Sequence, residues 1–168
     1  NGSVTTGFTQ GITPKGNGSV NLNYRDKQVN LFSNVSANIG RYENDLSLYR
    51  IQRDSIYDQR SINANYNKNL NLKAGADYFI NSKNTLGALV TTSFGSSEWT
   101  NNSTTGVYYQ PTNQFVKNLK ATNSIPGSRT NVNANLNYRY ADTSGLEVNV
   151  DADYGLFRGV GRSYQPNY

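Results

Sequence analysis

"SINANYNKNLNLKAGADYFI", Ser61 to Ile80, keeps a two-residue alternation over its whole length. One register carries Ile62, Ala64, Tyr66, Lys68, Leu70, Leu72, Ala74, Ala76, Tyr78 and Ile80. The other carries Ser61, Asn63, Asn65, Asn67, Asn69, Asn71, Lys73, Gly75, Asp77 and Phe79. Successive side chains of a strand point to opposite faces, so this is a β period and not a helical one. Strands in soluble domains average about 5 to 6 residues, and this run is about three times that. It predicts one strand keeping two different environments apart, in a very long sandwich or across a membrane.

The pattern recurs along the chain. A first strand is expected over Val4 to Ile12, closed by "TPKGN" at Thr13 to Asn17, and a second over Ser19 to Tyr24, turned by "RDKQ". A third runs from Val29 to Tyr42, the opening stretch is the fourth, and "NSKN" at Asn81 to Asn84 turns it into a fifth carrying Leu86, Ala88, Val90 and Phe94. A sixth sets Val132, Ala134, Leu136, Tyr138 and Tyr140 against Asn131, Asn133, Asn135, Asn137 and Arg139; "ADTSG" turns it into a seventh from Leu146 to Leu156. The connections after the second, fourth and sixth strands are short, whereas residues 43–60 and 96–130 are expected to be long surface loops. Short turns at one end and long loops at the other are the habit of bacterial outer-membrane barrels.

Aromatic placement agrees. Tyr24, Tyr78, Tyr138 and Tyr140 stand on the apolar register just before a short turn, where an interfacial girdle on the periplasmic side belongs. At about 3.3 Å per residue and a tilt near 45°, the stretch from Tyr66 to Tyr78 rises roughly 28 Å, close to the apolar band of such barrels. Tyr66, Phe94, Arg41 and Lys68 would mark the outer interface, the two cations reaching to headgroups or lipopolysaccharide with their long stems; the alternative is that the band ends below Arg41 and Lys68 and their strands continue into solvent as a protruding hairpin.

Composition excludes several classes. The 168 residues include no Cys, His or Met, which removes disulfides, Cys or His metal sites and any His-based general base; no catalytic residue, metal or cofactor is expected. A net charge of +5 arises from scattered single cations, with no run to track a phosphate backbone, so no nucleic-acid partner is expected. Only 35% of the chain is hydrophobic and the mean hydropathy is −0.70, which a barrel of alternating strands tolerates.

The Asn-rich register, Asn63, Asn65, Asn67, Asn69, Asn71, Asn133, Asn135 and Asn137, would line the lumen as a neutral wet surface. Asn ladders also occur in cross-β zippers, but irregular turns and the charges Lys73, Asp77, Asp151 and Asp153 interrupt this one. Asp151 and Asp153 are a candidate cation pair facing the lumen, although no third carboxylate stands at ligand spacing. Trp99, Tyr108, Tyr109 and Phe115 in the second long loop are candidates for ligand stacking, or for packing the loop on its neighbours.

"GSVNLNYRDKQVNLFSNVSANIG", "ADYFINSKNTLGALVTTSFG" and "VNANLNYRYADTSGLEVNVDADYG" together resemble the outer-membrane β-barrel family of Bacteroidota related to TonB-dependent receptors, most specifically over Asp77 to Gly87. The resemblance implies a large barrel closed around a plug and driven from the inner membrane. The expected fold is therefore an all-β, antiparallel, up-and-down transmembrane barrel. Seven strands of it are present here, an odd number that does not close as an ordinary bacterial barrel, so the chain reads as 1–168 of a larger barrel with no plug domain. The expected partners are outer-membrane lipid and lipopolysaccharide, the remaining strands and plug of the same protein, and other outer-membrane proteins; the expected location is the bacterial outer membrane. The expected role is the wall of a TonB-dependent receptor-like transporter, non-catalytic. A structural or assembly barrel without transport is the alternative, and a soluble β-sandwich adhesin stands behind both.

Overall fold

In a computed structural model of the protein, which describes residues 1–166, the chain forms β1 (Gly2–Gln10), β2 (Pro14–Arg25), β3 (Val29–Gln52), β4 (Ser55–Phe79), β5 (Asn84–Tyr109), β6 (Gln114–Ala141) and β7 (Glu147–Gly161). These pair antiparallel in chain order, β1 to β7, in one up-and-down sheet. No helix occurs among the described residues. The all-β, seven-stranded, antiparallel reading therefore holds.

The sheet is a single layer. Among the described residues the only buried hydrophobic side chains are Ile56, Ala64 and Val107, and no large side chain is fully buried. Each strand touches only its sequence neighbours, so β1 and β7 are open edges with unpaired backbone groups. A chain of this length would ordinarily bury a core of its own. Here the apolar residues have nothing of the same chain to pack on.

The two expected long loops are corrected. Residues 43–60 are strand on both sides of a turn at Arg53 and Asp54, and residues 96–130 are strand on both sides of a turn spanning Gln110 to Asn113. Arg53 (φ 53°) and Asn113 (φ 54°) take the left-handed conformation at these reversals. The reason they read as loops is physical: both faces of these segments are largely polar, and a backbone ladder needs no hydrophobic alternation to continue. A register shift between Val107 and Tyr108 leaves Val116 as the extra residue of a bulge near the second turn. The boundaries of β1, β2 and β7 move too: β2 begins at Pro14, inside the expected "TPKGN" turn, and β7 runs on to Gly161.

β3 to β6 are much longer than their flanks. β2 stops pairing at Lys15 opposite Gly40, and β7 at Gly161 opposite Gly127, after which backbone hydrogen bonds from Arg162 to Pro126, between Ser124 and Tyr164 and from Thr122 to Pro166 follow β6 further. Beyond these the four middle strands continue by themselves, Arg41 to Gln52 on β3 amounting to about 40 Å of strand. The molecule thus divides into a seven-stranded wall and a four-stranded blade.

Candidate functional site

Directly paired residues of an antiparallel sheet share a face, so the register sorts every side chain. One wall face is apolar in successive cross-strand rows. Val29, Tyr78, Leu86, Tyr138 and Val150 form one row; Tyr24, Leu31, Ala76, Ala88, Leu136 and Ala152 the next. Then come Leu22, Ser33, Ala74, Val90, Ala134 and Tyr154, followed by Val4, Val20, Val35, Leu72, Thr92, Val132 and Leu156. None of these rows holds a charge. Their large residues are exposed, Leu136 at 58% and Leu156 at 54%.

Beyond these rows the first charge on this face is Arg41 on β3, Lys68 on β4, Glu98 on β5, Lys120 on β6 and Arg158 on β7; the cations of β3, β4 and β7 follow an oblique line, while Glu98 and Lys120 stand further out. Arg158 shares its row with Thr130, Phe94, Leu70 and Ala37, and Arg41 lies four residues beyond Ala37. That is a drop of about 14 Å over a lateral distance of about 19 Å, a slope near 35° to the hydrogen-bonded rows. The short turns descend alike. The row that closes the first short hairpin (Arg25 opposite Asn30) passes through Asp77 and Gly87, and the next hairpin closes two residues further, at Phe79 opposite Thr85; the third closes two residues beyond that row, at Ala141 opposite Glu147. Two residues per two strands is again about 35°. The apolar face is therefore a band whose line of short turns and whose Arg41–Lys68–Arg158 line slope alike.

The predicted girdle residues Tyr24, Tyr78, Tyr138 and Tyr140 all lie on this face at the short-turn end. The Tyr138 hydroxyl donates to the Asn84 side-chain oxygen. At the other border Lys68 Nζ lies 5.1 Å from the centre of the Tyr66 ring, one row further from the band. Arg41 pairs with Glu43 at 2.5 Å, also away from the band. Phe94 is on the apolar face in the Arg158 row. Sequence reasoning missed Arg158, because the expected seventh strand ended at Leu156.

The opposite wall face carries the amides. Asn67, Asn69, Asn71, Asn133, Asn135, Asn137, Asp151 and Asp153 are all on it. They bond laterally: Asn69 Nδ2 donates to Asn38 Oδ1 at 3.0 Å, Asn135 Nδ2 to Asp153 Oδ1 at 2.9 Å, and Asn30 Nδ2 to Asp77 Oδ2 at 2.9 Å. Asp153 is thus engaged by an amide, and among the described residues no group of three Asp or Glu gathers at metal-binding distance. Glycines accommodate the larger neighbours. A Cβ on Gly75 would stand 2.3 Å from the Phe32 ring, and one on Gly87 2.4 Å from the Asn137 amide.

On the blade the distribution changes. The continuation of the apolar face now holds Arg41, Glu43, Asp45, Asp58, Arg60, Glu98 and Lys120, while the continuation of the amide face holds only Arg50 and Lys117, both near the tip. Asn63 is in a row with Asn44, Asn101 and Asn123, with Asn101 Nδ2 donating to Asn63 Oδ1 at 2.6 Å; Asn65 faces Tyr42 and Trp99. Gln59 Nε2 donates to Ser61 Oγ and Ser103 Oγ, each at 3.0 Å, and Ser61 is 2% exposed.

The four candidate stacking aromatics are not one site. Tyr108 and Phe115 meet edge to face at 5.7 Å on one side of the tip. Tyr109 and Trp99 are on the other side, and Trp99 lies ten residues from Tyr109, about 34 Å along the strand. At the wall's far end Lys83 bonds Asp142 at 2.8 Å, tying two short turns together. That bond, with the Thr143 amide, holds the Asp142 carboxyl below its ordinary pKa. In comparisons with known proteins, no family model matches the chain and no curated protein matches it.

Proposed function

We propose that this chain is a wall segment of a transmembrane β-barrel in a bacterial outer membrane, serving a TonB-dependent receptor-like transporter. The carrying observation is the uncharged band, with its short turns at one edge and the Arg41–Lys68–Arg158 line at the other both sloping near 35° to the rows. Strands tilted about 35 to 45° from a membrane normal turn such an oblique band into a level one. From Val29 to Ile39 the band follows about 33 Å of strand, which at that tilt is about 27 Å of thickness and matches the apolar belt of outer-membrane barrels. Lipid supplies what the chain lacks, a partner for the exposed apolar face.

On this reading the amide face lines the lumen, against water and the plug, and the blade stands outside the membrane. The open edges of β1 and β7 pair with further strands of the same barrel, since unpaired edges in hydrocarbon cost several kcal/mol per group. The chain performs no chemistry; transport proceeds by movement of the plug within the wall.

The test uses single cysteines in the full-length protein, which has none in this segment. Cysteines at Leu72 and Val132 should resist a charged maleimide in whole cells and in proteoliposomes, while those at Asn71 and Asn133 react. Equal labelling of both faces overturns the membrane reading. Uptake that collapses with the proton-motive force supports the transporter; a barrel that inserts yet takes up no nutrient tried reduces it to a structural wall.

A further inference from the structure

Charges on the amide face are sorted by sign. From the row of Lys73 to the blade tip, the strand residues of this face include Lys73, Lys15, Arg129, Lys117 and Arg50 and, among the described residues, no carboxylate. Its carboxylates, Asp153, Asp151, Asp77 and Glu147, all lie between the Lys73 row and the short turns. The opposite face behaves differently above its band, where Arg41, Glu43, Asp45, Asp58 and Arg60 interleave and Arg41 pairs with Glu43. A face that only has to be wet gains nothing by separating its signs, since interleaved charges are solvated as well and repel one another less.

The cations of the sorted half have no carboxylate partner: among the described residues the ion pairs are Arg41 with Glu43, Lys83 with Asp142 and Arg139 with Glu147. Three of them sit on rings of their own face instead, Lys15 Nζ 3.9 Å from the centre of Tyr42, Arg50 Cζ 5.0 Å from that of Tyr57 and Lys73 Nζ 5.9 Å from that of Phe32. An aromatic face steadies a cation without cancelling its charge.

Arg129 borders a hollow of about 390 Å³, floored by Gly127, Gly159 and Gly161 and edged by Asn67 and Ser97. A Cβ on Gly95 would stand 3.0 Å from Arg129 Nε, so the guanidinium group reaches across that glycine. Asn67 and Asn69 flank Lys68, and Gly159 follows Arg158, so the hollow lies back to back with the outer border of the apolar band. On the membrane reading that is the outer mouth of the lumen. A free guanidinium presents a fork of donors that fits a carboxylate or a phosphate, and the Asn67 amide and Ser97 hydroxyl add neutral partners beside it.

Resting on the transporter reading above, we propose that this hollow is the entry site for an anionic solute, with Arg129 binding its carboxylate or phosphate and the cations at the blade tip, Arg50 and Lys117, drawing it in. Selection is by charge, because no carboxylate of this face stands between the tip and the hollow.

Isothermal titration calorimetry of the full-length protein in detergent, with citrate and with tripolyphosphate, tests this. The wild type should bind at least one of the two and neither maltotriose nor spermine; citrate alone assigns the site to carboxylates, tripolyphosphate alone to phosphates. Arg129→Gln should weaken binding at least about tenfold, Arg129→Lys should weaken it less, and Arg158→Gln on the opposite face should leave it unchanged. Gly161→Leu, placed where a Cβ meets no atom within 4 Å, should fill the hollow and weaken binding as far with an unchanged unfolding midpoint. Equal affinity in Arg129→Gln and the wild type overturns the site, as does equal binding of maltotriose. A protein that inserts into proteoliposomes but binds neither anion sinks this site alone; one recovered from the aqueous fraction sinks the membrane reading with it.

Discussion

The wall and the blade are built from the same four strands, β3 to β6, yet they obey different rules. In the wall the apolar and amide faces are sharply distinct and four successive rows carry no charge; a few residues higher, the same face holds seven charged side chains. Backbone pairing is continuous across the change. The strand is therefore set by its hydrogen bonds in both regions, and the side chains record what each region meets. A β-strand accepts almost any surface pattern that its surroundings favour.

The sharpest way to break the comparison is to move a charge between regions. On the proposed membrane reading, Leu72→Arg, in the middle of the band, is expected to destabilise the folded protein in lipid by about 2 to 4 kcal/mol, whereas Asn102→Arg on the same face of the blade, between Ile62 and Thr122, stays within about 0.5 kcal/mol. Urea unfolding of the full-length protein in liposomes measures both, and equal costs would erase the distinction. Next in size is Gly75→Val, whose Cβ collides with the Phe32 ring. A loss of about 1 to 3 kcal/mol is expected by the same measurement, recovered in part when Phe32→Ala is added, since the Ala88 carbonyl oxygen at 3.0 Å remains in the way.

Within the blade, Gln59→Ala removes the donor shared by Ser61 and Ser103. It should cost about 1 kcal/mol locally, seen as faster amide exchange in β4 and β5 above Tyr66 with unchanged protection in the wall. The smallest effect concerns the turns. Because the Asp142 carboxyl titrates below its ordinary value in the folded state, its contribution is present above the unfolded pKa and lost as pH falls through the folded one. Acidification through that window should lower the protection factors of the Asn81 to Asn84 and Asp142 to Gly145 amides, and Asp142→Asn should remove Asp142's share of that loss, leaving the share of Glu147, whose carboxyl Arg139 also holds below its ordinary value.

The wall was legible because its alternation is strong: Ser61 to Ile80 reads as one strand and all of it but Ile80 lies in β4, which begins earlier, at Ser55, and Tyr24, Tyr78, Tyr138 and Tyr140 lie on the apolar face at the short-turn end. The blade was not, because both of its faces are largely polar and period two vanishes from the hydrophobicity. Reading residues 43–60 and 96–130 as loops followed from that silence. The same silence grouped Trp99 with Tyr108 and Phe115, when a strand sends neighbours to opposite sides and puts Trp99 far from the tip. Gly75 and Gly87 gave no local sign of the side chains that lie across them, which belong to other strands.

The sequence by itself determined the period, the two faces and the absence of any residue suited to thiol or imidazole chemistry, since each depends only on neighbours along the chain. Which residues stand level with one another was decided by the sheet. The oblique border through Arg41, Lys68 and Arg158 is invisible in the linear order, because it depends on how far each hairpin is staggered against the last. That stagger is a sum of cross-strand hydrogen bonds, and it turns scattered single cations into one line at the edge of an apolar band.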